Sequence, residues 1–245
     1  MLVLIWWLGG LFADYKEGEM AKKRWLVSGM VIVVFCFGFV RYLEGGEMEK
    51  KIALPSPTGK GKVSLEEVLT RRRSRRAYKA QALTLAEVSQ LLWAAQGITA
   101  SWGGRTTPSA GATFPLEVYL VAGEVVGLSP GLYHYQPSAH SLVKIRDGDL
   151  RKELSGAALG QEMIETAPVT MVIVAVYQRT TKRYRERGVR YVHMEVGHCG
   201  QNIYLQAEAM GMGTVAVGAF SDQMVKEILK IKEEPLYLMP VGYPF

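Results

Sequence analysis

The residues Arg71-Arg72-Arg73-Ser74-Arg75-Arg76-Ala77-Tyr78 place five arginines and a serine in eight positions. A guanidinium group presents a planar fork of donors that matches phosphate, and a nearby hydroxyl can add a further donor. Basic runs are also typical of solvated faces, sorting signals and nucleic-acid patches. The run is therefore a candidate anion site, and the rest of the chain has to decide between these interpretations.

Helix signals lie on both sides of this arginine run. Capping boxes open at Ser64 and at Thr84, each with a glutamate three positions later. They predict one helix through about Arg72 and a second that ends at Gly97. Residues 98–115 are rich in Gly, Ser, Thr and Pro, which predicts a loop of the kind that commonly carries function.

The rest of the chain mixes strand and helix patterns without strict alternation. Strands are predicted at 116–122, 131–135, 141–145, 169–177, 214–217 and 236–241, and helices at 148–157, 161–166, 192–209 and 222–230. Residues 169–177 form a continuous apolar, β-branched run that is typical of a buried central strand. The mixture predicts an α+β layered domain and not a doubly wound sheet.

The net charge of +6, from 29 Lys and Arg against 23 Asp and Glu, is modest for 245 residues. The basic residues concentrate at 71–76 and at 179–190, so the positive field is local. That pattern favours a small phosphorylated ligand over a long polyanion such as nucleic acid.

The cysteines and histidines indicate neither a disulfide framework nor a metal site. Cys36 lies in an apolar run, and Cys199 lies in a predicted helix, where it is expected to be a small core residue. His193 and His198 are five positions apart, a spacing that places two side chains off a common helix face. We therefore predict no metal ligands.

An apolar run precedes the predicted domain. Residues 25–40 follow the basic residues 22–24, and the run extended to residue 43 approaches the ~20 residues that a spanning helix needs. The sequence predicts a membrane anchor at residues 25–43, with a cleaved signal peptide as the alternative. The flanking charges leave its orientation open.

The chain is thus predicted to have three parts. Residues 1–43 form a hydrophobic segment, residues 44–62 form a linker rich in Gly, Pro and Lys, and residues 63–245 form the folded domain. Translation from Met20 is an alternative to translation from Met1, because Met20 directly precedes the basic residues.

Several of these runs together resemble the nitroreductase family, and more finely its SagB-type, azoline-dehydrogenase branch. The matching runs are Arg72-Arg73-Ser74-Arg75-Arg76, Pro108-Ser109-Ala110-Gly111-Ala112, Gly218-Ala219-Phe220, and residues 90–97, 131–135, 195–202 and 238–244. The resemblance covers about residues 60–245. It implies an α+β, three-layer fold whose central sheet is mixed but mainly antiparallel and is flanked by helices, in an obligate homodimer.

The resemblance also implies one FMN at each interface site and hydride transfer between the flavin and a small organic substrate, with NAD(P)H as a candidate donor. Arg72 and Ser74 would contact the FMN phosphate, with Arg73 alongside. Arg76 would lie near the pyrimidine edge of the ring, where a cation stabilises the reduced flavin.

Two loops would contact the flavin ring in such a protein. One loop would approach from the partner subunit, and the other would offer its backbone to the ring. The first consists of Pro108, Ser109, Ala110 and Gly111, and the second contains Gly218 and Ala219.

In the azoline-dehydrogenase branch, a Lys-Tyr pair is associated with deprotonating the azoline ring. The matching positions here are Arg183 and Tyr184, which the resemblance implies as catalytic residues, although arginine keeps its proton and is a poor general base. Azoline oxidation in a ribosomal peptide is therefore an alternative to a small organic substrate. A further alternative is a non-enzymatic, membrane-anchored protein whose arginine run binds nucleic acid or anionic lipid.

Overall fold

A computed structural model describes residues 51–245. The strands are β1 (Lys51–Ala53), β2 (Leu83–Thr84), β3 (Leu116–Ala122), β4 (Val125–Val126), β5 (Gly131–Gln136), β6 (Ser141–Asp147), β7 (Val169–Ala175), β8 (Gly213–Thr214) and β9 (Glu234–Gly242). The helices are α1 (Leu65–Arg71), α2 (Leu85–Gln96), α3 (Arg151–Ala157), α4 (Glu162–Thr166), α5 (Gln178–Tyr184), α6 (Arg187–Ala209) and α7 (Asp222–Leu229). Short 3₁₀ turns lie at Ala110–Ala112 and Pro137–Ala139.

The main sheet has seven strands in the order β1-β6-β5-β3-β7-β9-β8. Every neighbouring pair in it is antiparallel. β2 and β4 form a separate parallel pair, and an isolated parallel bridge joins Ser74 to Thr214 in β8. β7 is buried at every position, as its continuous apolar run predicts.

Alternate residues of the central strands point to opposite faces of the sheet. Val118 and Leu120 pack with apolar residues of α2 and α6. Tyr119 and Val121 pack with residues of α3, α4 and α7. The period of two in the strand sequence thus produces three layers, and the predicted α+β, three-layer architecture is confirmed.

The first two helices begin at their predicted caps. The Ser64 hydroxyl accepts a hydrogen bond from the Glu67 amide at 3.2 Å, and Thr84 forms a complete capping box with Glu87. The long helix, in contrast, begins earlier than its predicted start at residue 192. Residues 178–191 are largely helical and contain α5 and the first turns of α6. Most side chains there are exposed and many are basic, so no apolar period marks the helices.

Part of the predicted linker is built into the domain. Residues 51–53 form β1 and pair with β6, and Leu54 is buried in the core. The Pro55 carbonyl accepts a hydrogen bond from the Ser89 hydroxyl at 2.5 Å. An edge strand needs only backbone hydrogen bonds, so the Gly- and Pro-rich composition of residues 44–62 does not reveal it.

The structure goes against the predicted membrane attachment. Among residues 51–245, no helix combines the length and the apolar character that crossing a bilayer requires. The long helix α6 carries charged residues such as Arg187, Arg190 and Glu208. The predicted anchor at residues 25–43 itself lies outside the described residues. For the described chain, the predicted transmembrane helix, membrane partner and membrane location are therefore wrong and are not carried further.

Candidate active site

The arginine run leaves α1 and continues alongside strand β8. α1 ends at Arg71, and Arg72 has non-helical backbone angles, with φ −49° and ψ 123°. Ser74 then bridges to Thr214, and the amide of Arg75 donates a hydrogen bond to the Thr214 carbonyl at 2.9 Å. These backbone contacts hold the run against the end of the main sheet.

The arginines of the run differ in what they contact. Guanidinium nitrogens of Arg71 lie 2.5 Å and 3.4 Å from the carboxylate oxygens of two glutamates. Arg73 donates to two carbonyl oxygens at the end of α1, at 3.0 Å and 2.8 Å. Among residues 51–245, Arg72 and Arg76 form no salt bridge, so their charges are available to a ligand.

Tyr204 on α6 links this run to the segment after β8. Its hydroxyl lies 3.1 Å from the Ser74 hydroxyl and accepts a hydrogen bond from the Ala216 amide at 2.8 Å. The Arg72 guanidinium carbon lies 5.2 Å from the centroid of the Tyr204 ring, a distance typical of a cation–π contact. Tyr204 did not emerge from the sequence, because a tyrosine beside the apolar face of a helix has no distinguishing pattern.

Two residues that the resemblance implies for flavin contact follow shortly after Ala216. Gly218 and Ala219 are exposed, and the Ala219 carbonyl accepts a hydrogen bond from the Gln161 side chain at 2.9 Å. Their backbone is therefore both fixed and accessible. We refer to residues 72–76 and 214–219, which the structure brings together, as the arginine strip.

The loop after α2 has an unusual backbone. Gly111, Ala112 and Phe114 have φ angles of 60°, 53° and 44°, in a region that residues with a Cβ rarely adopt. Such angles persist only where surrounding contacts enforce them. Of the predicted residues before this turn, Pro108 is exposed, whereas Ser109 is half-buried. We refer to residues 108–114 as the glycine loop.

Helix α5 fastens the glycine loop. Arg179 donates to the Phe114 carbonyl at 3.0 Å, and Arg183 donates to the Gly111 carbonyl at 3.1 Å. A Cβ added to Gly111 would lie 2.5 Å from the hydroxyl oxygen of Tyr184, and the φ angle of 60° at this residue also favours glycine. The structure thus places the two predicted catalytic residues against the glycine loop of the same chain.

The ring of Tyr184 is held by its neighbours. It packs edge-to-face on Tyr191, with ring centroids 5.1 Å apart, and the Arg183 guanidinium carbon lies 5.5 Å from its centroid. Aromatic contacts of this geometry restrict the ring. The hydroxyl of Tyr184 is thereby kept over Gly111.

A buried carboxyl also lies beside the glycine loop. Glu195 on α6 is 2% exposed, and burial raises its pKa to about 7, although the Ser109 hydroxyl and the charge of Arg105 act in the opposite direction. The sequence did contain a signal, because Glu195 falls on the same helix face as Val196 and Cys199. Cys199 is fully buried, which confirms it as a small core residue.

The arginine strip and the glycine loop lie at different positions along α6. Tyr204 follows Glu195 by nine positions, a rise of about 13 Å along the helix. Within residues 51–245, no hydrogen bond or salt bridge joins the two groups. In one chain the two groups of predicted residues are therefore not bonded to each other.

The histidines of α6 take part in no metal cluster. The ring of His193 lies 2.6 Å from the Tyr177 hydroxyl oxygen, and His198 is exposed. In the part of the chain that the structure describes, no group of three or more His, Cys, Asp or Glu side chains is arranged to hold a metal ion.

The sequence and the fold match known proteins over most of the described residues. The sequence model described as the nitroreductase family matches residues 69–243. A Methanocaldococcus jannaschii protein named as a nitroreductase is 54% identical over 180 residues, which cover 74% of this chain and 91% of that protein. The microcin B17-processing protein of Escherichia coli is 26% identical over 136 residues, or 53% of this chain and 49% of that protein.

Solved structures give the same result. A nitroreductase structure from Ralstonia eutropha superposes with a TM-score of 0.70 at 31% identity, and covers 82% of this chain and 92% of that one. The NADPH:FMN oxidoreductase from Vibrio harveyi, solved with NAD+, superposes with a TM-score of 0.54 at 20% identity over 74% of this chain and 68% of that one. The second likeness concerns the fold alone.

Proposed function

The chain belongs to the nitroreductase family of oxidoreductases, and we propose that it is an FMN-dependent enzyme that acts on a small organic substrate. The observation that carries this proposal is the arginine strip. There, the Arg72 guanidinium, which has no acidic partner among residues 51–245, and the Ser74 hydroxyl both contact Tyr204 beside a strand end. A phosphate group fits this set of donors, and FMN offers one.

The arginine strip would hold the phosphate end of the cofactor. Arg72 and Ser74 would donate to the phosphate oxygens, with Arg73 alongside at the end of α1. Arg76 would place a positive charge beside the ring, and Gly218 and Ala219 would present their exposed backbone to it. When bound, FMN supplies a ring position that accepts and returns hydride.

The glycine loop would complete the site from a second copy of the chain. In one chain the loop and the arginine strip are separate, so a homodimer is the arrangement that would bring Pro108, Ser109, Ala110 and Gly111 to the ring. Gly111 carries no side chain of its own, so its backbone can come close to a flat ring on the side that Tyr184 and Arg183 leave open.

Tyr184 and Arg183 would act on the substrate side of the ring. The Tyr184 hydroxyl is positioned to donate or accept a proton, and tyrosine is a recognised general acid–base group. Arg183 donates a hydrogen bond to the Gly111 carbonyl, so it would orient the loop, and its guanidinium would favour negative charge on a neighbouring group. NAD(P)H is the donor that we would test first.

Oxidation of an azoline in a ribosomal peptide is the second candidate. The similarity to the Escherichia coli microcin B17-processing protein favours it. The chain spans about half of that protein's length, so its processing activity is carried over here only as a proposal. The two candidates are distinguished by measuring, with the same protein preparation, the turnover of an azoline-containing peptide and of a nitroaromatic compound.

The visible absorption spectrum of the purified full-length protein tests the cofactor. We expect a yellow protein that releases FMN on denaturation, at about one per subunit. A colourless protein that also fails to take up added FMN would refute the flavin assignment, even if the fold is intact by circular dichroism.

The variant Tyr204→Phe tests the arginine strip without changing a charge. It removes the hydroxyl that contacts Ser74 and Ala216 but keeps the ring under Arg72. Two hydrogen bonds worth about 0.5–1.5 kcal/mol each are lost, so we expect FMN affinity to fall about tenfold.

Flavin fluorescence quenching measures the dissociation constant of this variant. The matched control is Tyr133→Phe, which removes a buried hydroxyl bonded to Ser129, in β5 away from the strip. Equal FMN affinity in Tyr204→Phe and the control would show that Tyr204 does not organise the site.

A further inference from the structure

A second basic cluster lies where helix α5 ends and helix α6 begins, and the function proposed above uses only part of it. Five of the nine residues from 182 to 190 are lysine or arginine, and one is glutamate. All five basic side chains are exposed. We refer to these five residues as the basic corner; they are Lys182, Arg183, Arg185, Arg187 and Arg190.

The backbone brings the two ends of the basic corner together. Helix α5 is capped at Arg185, whose φ of 50° and ψ of −140° turn the chain sharply into α6. Gly188, in the first turn of α6, is buried, and a Cβ added to it would lie 3.0 Å from backbone atoms of Thr181. The two helices therefore meet at this point without a side chain between them. As a result, the basic residues of both helix ends share one small region of the surface.

The charges of the basic corner are not paired with acidic groups. Among residues 51–245, salt bridges engage arginines such as Arg71, Arg151 and Arg179, but none of the five residues of the corner. Like charges held close together repel one another, and this repulsion opposes folding. A bound anion would relieve it, so the corner is suited to a negatively charged ligand.

Two tyrosine rings give the basic corner a flat, apolar component. Tyr184 and Tyr191 pack edge-to-face, and both are half-buried, so part of each ring is open to solvent. The guanidinium carbon of Arg183 lies 5.5 Å from the centroid of the Tyr184 ring, and that of Arg187 lies 5.8 Å from the centroid of the Tyr191 ring. A planar ring can pack on such side chains while a guanidinium group binds its carboxylate through two parallel hydrogen bonds. The corner thus offers both contacts that an aromatic carboxylate makes.

The basic corner directly adjoins the glycine loop. Arg183 donates a hydrogen bond to the Gly111 carbonyl at 3.1 Å, and a Cβ added to Gly111 would lie 2.9 Å from an Arg183 nitrogen. Tyr184, to which we assigned proton transfer, lies between Arg183 and Arg185 in the chain. The side of the loop on which Tyr184 would act is therefore the side that carries the unpaired positive charge.

We propose that the basic corner selects the substrate: the compound on which the protein acts carries a carboxylate or another anionic group on a planar ring, and Arg187 and Arg190 bind that group. This inference rests on the proposed function, which places the reaction beside Tyr184. Nine residues in helical conformation extend over no more than about 14 Å, which is the scale of a small molecule. A nucleic acid typically makes about 6–10 phosphate contacts, more than five basic residues at one corner provide.

The test compares two nitroaromatic compounds of similar shape and different charge, para-nitrobenzoate and para-nitrobenzamide. The full-length wild type and the double variant Arg187→Glu, Arg190→Glu are assayed with both compounds and NAD(P)H. The measured quantity is the ratio of kcat/KM for the acid to kcat/KM for the amide, expressed relative to the wild type because the two compounds also differ in intrinsic reactivity. We expect this ratio to fall about tenfold in the double variant, through the KM for the acid, because two attractive charges become repulsive.

The matched control is the same charge reversal at Lys152. This lysine is exposed on α3, which packs on the opposite face of the main sheet from α6, and among the described residues it forms no salt bridge. Lys152→Glu changes the net charge of the protein by two, as each substitution in the corner does. We expect it to leave the ratio within about twofold of the wild type, because exposed charges that are far apart are screened by salt.

Arg190→Glu alone covers the case in which the double variant does not fold. Cation–π contacts in the corner involve Arg183 and Arg187, and among the described residues Arg190 makes no contact of this kind. Its replacement therefore leaves the packing of both tyrosine rings in place. We expect the ratio to fall about threefold, as is typical for the loss of one exposed charge pair.

Three results would overturn the proposal. The first is an equal change in kcat/KM for the acid and the amide, or an unchanged ratio in both variants. The second is a loss of FMN affinity of about tenfold in Arg190→Glu, which would assign the corner to the cofactor phosphate. The third is a single-stranded DNA oligonucleotide that binds the wild type more tightly than para-nitrobenzoate does and loses its affinity in the double variant.

Failure of the proposed function is recognised separately. If the purified protein turns over neither compound, isothermal titration calorimetry measures the dissociation constants of both compounds. Tighter binding of the acid than of the amide by the wild type, lost in the double variant and kept in Lys152→Glu, would support the basic corner as an anion site without the proposed reaction. Equal binding of the two compounds by the wild type would overturn it.

Discussion

The double variant Arg72→Ala, Ser74→Ala is expected to purify as a folded but colourless protein, with FMN affinity lower by about 100-fold or more. Arg72 is half-buried over the Tyr204 ring and Ser74 is exposed beside it, so neither side chain contributes to the hydrophobic core. Hydrogen bonds to a charged phosphate are worth about 1.5–3 kcal/mol each, and this variant removes those from both side chains.

The matched control is Arg71→Ala, from the same arginine run. The charge of Arg71 is already engaged by Glu67 and Glu208, so its loss should leave FMN affinity within about twofold of the wild type. Absorption spectra and fluorescence titrations of both variants, with circular dichroism for the fold, make the comparison. Full FMN occupancy in the double variant would refute the phosphate assignment.

Tyr184→Phe is expected to lower kcat about 100-fold while FMN affinity stays unchanged. The substitution keeps the ring packed on Tyr191 and removes only the hydroxyl over Gly111. Proton transfer by a positioned side chain contributes about 10²–10⁴-fold to enzymatic rates, so loss of the hydroxyl should appear in the rate of turnover. Steady-state kinetics with a nitroaromatic compound and with an azoline peptide measure it.

Tyr191→Phe is the control for this second prediction. It removes the hydroxyl of the neighbouring ring and preserves the edge-to-face contact. A fall in kcat shared equally by both variants would indicate a general disturbance of the α5–α6 corner. Wild-type turnover by Tyr184→Phe with a substrate that the enzyme accepts would remove Tyr184 from the mechanism.

Local patterns predicted most of the elements that frame the candidate site. The boxes at Ser64 and Thr84 placed the starts of α1 and α2, because capping depends on residues only three positions apart. The apolar run, interrupted only by Thr170, placed β7 in the interior of the sheet for a similar reason, since burial on both faces favours apolar residues at nearly every position. The helical segment at 178–191 was not predicted, because its residues are mostly exposed and form no apolar helix face.

The sequence by itself determined the α+β layering and the arginine run that follows a capped helix. Each of these depends on residues that are near one another in the chain. Only the tertiary structure decided that β1 belongs to the sheet, that Tyr204 joins two distant segments, and that Arg183 contacts the Gly111 carbonyl. These contacts join residues 72 to 130 positions apart, and which side chains meet over such a separation depends on how the layers pack.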